Sequence, residues 1–178
     1  MYKKKVFIFI LLIGCAVNLF SLGIGVSSET NIISPSSEEN NDCYLGVSGT
    51  AKFDGQPLYY TLYTGHVPLN PRFLLTLSAD WHFFEPEIKP NWNAYFGIGL
   101  GTGLEYVGGE LDFQAGPRAL CGMNWIFYDG FLEFFVQGVV QPTYRTMIWK
   151  SDKMPLKNAN INQYITQYPI SVGIRFWD

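Results

Sequence analysis

Apolar and polar side chains alternate residue by residue along much of this chain, most clearly from Asp112 to Gln141. Its odd positions read Phe113, Ala115, Pro117, Ala119, Cys121, Met123, Trp125 and Phe127. The even ones read Asp112, Gln114, Gly116, Arg118, Leu120, Gly122 and Asn124. After a turn at Tyr128-Asp129-Gly130, Leu132, Phe134, Val136, Gly138 and Val140 alternate with Glu133, Phe135, Gln137, Val139 and Gln141. Strand side chains point to opposite faces in turn, so this is a hairpin with one dry face and one wet face. Arms of roughly 12 to 15 residues exceed the usual 5 to 6 of a soluble sheet. They suit tilted membrane strands of about 9 to 11 residues plus their ends.

The same period predicts six further strands, for eight in all. They are Leu22 to about Ser28, Tyr44 to Phe53, Leu58 to Gly65, Arg72 to Phe84, Asn91 to Tyr106, and Tyr164 to Trp177. Short connections at 54–57, 85–90 and 128–130 alternate with polar loops at 31–42 and 145–160, the order an outer-membrane barrel requires. Outward aromatic residues fall in two bands. Trp81, Phe83, Trp92, Trp125, Phe127, Phe134 and Phe176 lie toward the short turns, and Phe73, Tyr106, Phe113, Tyr144 and Tyr168 toward the other end. Two such belts separated by aliphatic residues are the girdles of a lipid-facing wall. Pro117 and Pro169 each remove a ladder donor, so a bulge or a gap is expected at both. The fold class is therefore all-β: an eight-stranded antiparallel up-and-down transmembrane β-barrel over residues 22–178, behind a cleaved signal helix over residues 1–21.

Composition agrees, with 17% aromatic and 15% charged residues. No apolar run is long enough for a helical span. The net charge of −3 gives no reason to expect nucleic acid as a partner. Lys3-Lys4-Lys5 followed by Val6 to Phe20 reads as an export signal. Cleavage near Ser21 competes with lipidation at Cys15, which ends the lipoprotein-like run Leu12-Ile13-Gly14-Cys15. Cys43 and Cys121 fall on distant strands and are expected to be unpaired.

Gly97, Gly99, Gly101 and Gly103 do not fit a phosphate loop and form the inward face of one strand. Ser78, Asp80 and His82 also share an inward face. Residues two apart on a strand are about 6.6 Å apart, too far for a catalytic triad. With only two His, no metal site is expected, nor is any cofactor. The inward charges Lys52, Arg72, Asp80, His82, Glu105, Arg118, Glu133 and Arg175 must pair to remain buried. Glu133 and Arg175 are expected to meet near the short-turn end, with Asp80 and His82 at similar depth. A lumen filled with side chains is the expectation for eight strands. Glu29, Glu38, Glu39 and Asp42 make the first loop acidic. Arg145, Trp149, Lys150, Lys153 and Lys157 make the last one basic, a candidate site for an acidic extracellular or host ligand.

The terminal run Ser171-Val172-Gly173-Ile174-Arg175-Phe176-Trp177-Asp178 looks like the insertion signal of outer-membrane barrels, with matches at Ser171, Gly173 and Phe176 and with Asp178 where an aromatic is usual. Gly116-Pro117-Arg118, Gly122-Met123-Asn124-Trp125 and Leu132-Glu133-Phe134-Phe135-Val136, with Leu22-Gly23-Ile24-Gly25-Val26, resemble a spirochaetal family of small outer-membrane barrels of unknown function. That resemblance implies an OmpA/OmpX-like barrel exposed at the cell surface, with no catalytic residues. The expected role is thus structural or adhesive in the outer membrane, as a monomer in contact with outer-membrane lipid. A narrow pore is one alternative. A lipid-carrying, lipocalin-like barrel is another, and it would need the apolar rows to face inward.

Overall fold

The computed structural model describes residues 22–35, 42–53, 55–68, 70–150 and 162–178. Residues 1–21 with Cys15, and Glu38, Glu39, Lys153 and Lys157, lie outside them. Among the described residues the alternating sequence builds nine strands: β1 (Leu22–Pro35), β2 (Asp42–Phe53), β3 (Leu58–His66), β4 (Arg72–Phe84), β5 (Glu87–Lys89), β6 (Trp92–Val107), β7 (Glu110–Phe127), β8 (Leu132–Lys150) and β9 (Asn162–Phe176). Eight are long, and each pairs antiparallel with its neighbours. Pairing of β4 with β6 and of β1 with β9 closes them into a barrel without an open edge. The short β5 pairs with the start of β6 inside the reversal after β4.

Orientation follows from exposure. Outward Leu100 is 69% exposed and Val47 61%, whereas inward Asp80, Glu105 and Arg175 are 3% or less. The apolar rows face out and the charges face in, the reverse of what a lipocalin-like carrier needs. Both aromatic bands lie on the outer wall, and ring pairs tie adjacent strands within them. Trp92 and Trp125 sit 4.1 Å apart in the short-turn band, and Tyr144 and Tyr164 sit 5.5 Å apart in the other. Cys43 on β2 and Cys121 on β7 are both free and exposed.

The far ends of the strands differ from the sequence reading. β1 continues past Ser28 to Pro35, and β8 continues through Arg145 to Lys150, so both predicted loops are shorter. Two far-end connections are tight: residues 67–71, and Gly108-Gly109, whose φ values of 56° and 94° suit glycine. The barrel is therefore taller on one flank. β7 and β8 have 18 and 19 residues, against 9 in β3 and 13 in β4. A one-residue register shift near the top of β8 leaves Ile148 and Trp149 both exposed.

Both predicted proline irregularities are interruptions of the ladder without a change of register. Pairing of β7 with β8 lapses between Ala115↔Tyr144 and Ala119↔Val140, around Pro117. Pairing of β8 with β9 lapses between Gly138↔Ile170 and Gln141↔Gln167, around Pro169. Pro142, which the sequence reading did not single out, falls opposite Pro117 in the first interruption.

Candidate functional site

The inward rows fill the lumen in layers. Nearest the short turns, Glu133 of β8 accepts from three donors: Arg175 Nη1 at 2.7 Å, Trp177 Nε1 at 2.8 Å and Asn124 Nδ2 at 3.0 Å. The Arg175 guanidinium also lies 3.7 Å over the Phe135 ring. His82 stacks between Tyr59 and Tyr95, with centroids 4.0 and 4.5 Å away, and its Nδ1 is 3.3 Å from Glu85 Oε1. That hydrogen bond holds the Glu85 carboxyl below the ordinary carboxylate range. Lys52 Nζ donates to Tyr59 Oη at 3.3 Å and sits over the same ring.

In the next layer Arg118 Nε donates to Asp80 at 2.9 Å, and Arg118 Nη1 to Gln141 at 3.0 Å. The other Asp80 oxygen accepts weakly from Ser78 at 3.4 Å. Asp80 is thus committed to Arg118 and His82 to its tyrosines, so Ser78, Asp80 and His82 do not assemble as a catalytic unit. Arg118 with Asp80 and Arg175 with Glu133 are two ion pairs at different depths, and Arg145 bridges Glu105 and Asp112.

Farther up, Asn31, Gln167 and Gln114 form a buried amide chain. Beside it Ile33, Tyr44, Tyr63, Leu74 and Ile165, with Val67 packed against them, make an apolar cluster inside the barrel. Level with Leu74 of this cap, Glu105, 1% exposed, accepts from Tyr44 Oη and from Arg145 Nη1 at 3.0 Å. Space around Glu29, Arg118 and Arg175 amounts to about 10 Å³, room for about one water.

Several residues read as loop charges belong elsewhere. Arg145 enters the lumen to meet Glu105, because β8 outlasts its apolar outer row. Glu29 is buried on β1 rather than in an acidic loop. Asp42 opens β2 and pairs with Arg72. Lys150 Nζ is 2.7 Å from Glu110 Oε1, so it is not a free cation awaiting a ligand. Of the proposed loop-binding set, Trp149 remains open, 55% exposed on the outer wall. The signal that was available for Glu29 and Arg145 was strand parity: each keeps the inward phase of its strand. Among the described residues no group of three His, Cys, Asp or Glu is placed to hold a metal.

No family model matches the chain, and no curated protein matches it. Solved structures do. Similarity to the N-terminal β-barrel domain of Pseudomonas aeruginosa OprF has a TM-score of 0.44, at 11% identity over 86% of this chain and 98% of that one. For Ail, the attachment invasion locus protein of Yersinia pestis, the TM-score is 0.49, at 8% identity over 88% and 99%. Neisserial surface protein A (NspA) gives 0.60, at 13% identity over 87% of this chain and 96% of that one, a likeness of fold that matches the closed eight-stranded antiparallel barrel described above.

Proposed function

We propose that this chain is an integral outer-membrane barrel with a structural or ligand-binding role at the cell surface and no catalytic activity. The observation that carries the reading is the outward apolar wall bounded by two aromatic girdles around a lumen of paired charges. Only a lipid environment makes so much contiguous outward apolar surface favourable. The leader supports export, and the fold it shares with NspA is consistent with that membrane. The resemblance to small spirochaetal barrels points the same way. A narrow pore is opposed by the apolar cap and by the ion pairs beneath it. The protein is expected to partition into the detergent phase, and its folded form to migrate differently from the boiled form on gels. Recovery from the aqueous phase with identical migration of both forms would remove the reading.

Ligand binding, where present, belongs to the tall far end. Trp149 and the connection 151–161, with Lys153 and Lys157, are the groups we assign to an acidic extracellular ligand, because Lys150 is already paired. Cells carrying a deletion of 151–161 are expected to lose retention on an immobilised acidic polysaccharide. Undiminished retention would take the ligand elsewhere.

A further inference from the structure

We propose that Trp177 is a latch that closes the barrel along the seam between its first and last strands and fixes their register. The sequence reading treated the chain end only as an insertion signal. In the structure Phe176 faces outward in the short-turn girdle, while Trp177 turns inward. Its main-chain N–H donates to Phe131 O at 2.9 Å, and its indole N–H donates to Glu133 at 2.8 Å. The ring lies across Gly23 of β1 so closely that an added Cβ there would come within 2.1 Å of it. On its other sides are Tyr59 of β3, at 6.0 Å between centroids, and the ammonium of Lys52 of β2, at 5.6 Å. One side chain at the end of β9 therefore touches β8, β1, β2 and β3.

The inward seam is built to receive it. At three successive inward levels near the short turns one strand supplies glycine where the other carries a side chain. Gly25 faces Arg175, where an added Cβ would lie 2.6 Å from Arg175 Cγ. Gly173 faces Ser27, where it would lie 2.4 Å from Ser27 Cβ. Gly23 continues the series against Trp177. A two-residue slip one way sets Ser27 where Gly25 now admits Arg175. The same slip the other way carries Trp177 past the pit at Gly23. Apart from Phe176, the outer row of β1 and β9 is small or aliphatic over this stretch, so it discriminates registers poorly. The inner row, ending in Trp177, does so by volume and by the Glu133 hydrogen bonds.

The test uses the full chain with Cys43→Ser and Cys121→Ser, folded into phosphatidylcholine vesicles. The readout is the rate at which the folded gel form converts to the unfolded one at fixed temperature. Trp177→Ala and Gly23→Ala are each expected to speed conversion roughly tenfold, as loss of a hydrogen bond to a charged group implies. Combined, they should do no more than either alone. A disulfide across the seam, from Ser28→Cys with Val172→Cys, should erase the effect of Trp177→Ala. A disulfide between β7 and β8, from Met123→Cys with Val136→Cys, should leave it intact. Should Trp177→Ala not fold, Trp177→Phe, which keeps a ring and loses the donor, carries the same comparison. Additive effects of the two substitutions, an unchanged rate, or an effect that survives the seam disulfide would each overturn the proposal.

Discussion

Three donors converge on Glu133: Arg175, Trp177 and Asn124. Removing one partner of a buried ion pair leaves a desolvated charge behind. Glu133→Ala is accordingly expected to lower stability by about 3 to 5 kcal/mol in a urea titration of the vesicle-inserted protein; an unchanged midpoint would mean that Arg175 finds another acceptor. Glu85 makes a pH-dependent contribution. Its carboxyl is depressed by the hydrogen bond from His82, so its contribution is present above the unfolded-state value and is lost as pH falls through the lower folded one. Thermal midpoints measured down through the acidic carboxylate range should fall less steeply for Glu85→Gln than for the parent. At this scale the sequence was readable where parity and depth were both evident, as for Glu133 and Arg175. It was not readable for Glu105 with Arg145, 40 residues apart, because Arg145 stands among polar residues that resemble a loop.

Strand positions toward the short turns were legible because there the outer row is apolar against a polar inner row. The far ends were not. On β1 the outward row turns polar at Ser28, Thr30 and Ser34 while hydrogen bonding to β2 and β9 carries on to Ile33 and Pro35. Lipid contact, which produces the alternation, stops before the ladder does. The glycine row of β6 reflects a different constraint. An added Cβ at Gly99 would come within 2.1 Å of Asp80 Oδ1 and 2.4 Å of the Ala79 carbonyl oxygen, so this strand must present bare backbone to its neighbour. Gly138, on the outer face, has nothing within 4 Å of such an atom. Gly99→Val is therefore expected to abolish the folded gel form and Gly138→Ala to preserve it. Equal behaviour of the two would show that the Asp80 layer tolerates expansion.

Taken whole, the molecule is sealed twice, by the apolar cap near the far mouth and by the ion-paired layers below it. Planar bilayers containing it should show no unitary conductance, and steady single-channel steps would contradict the filled lumen. Its height is uneven: β7 and β8 rise several residues beyond β3 and β4. Among the described residues such a rim is a crescent and not a cup. A large molecule can slide in over the low side and meet the inner surface of the raised screen, where Glu110, Asp112, Arg145 and Lys150 are arrayed, whereas from behind it meets Ile148 and Trp149. The protein thus has a front and a back, and neighbours packed around it are not equivalent.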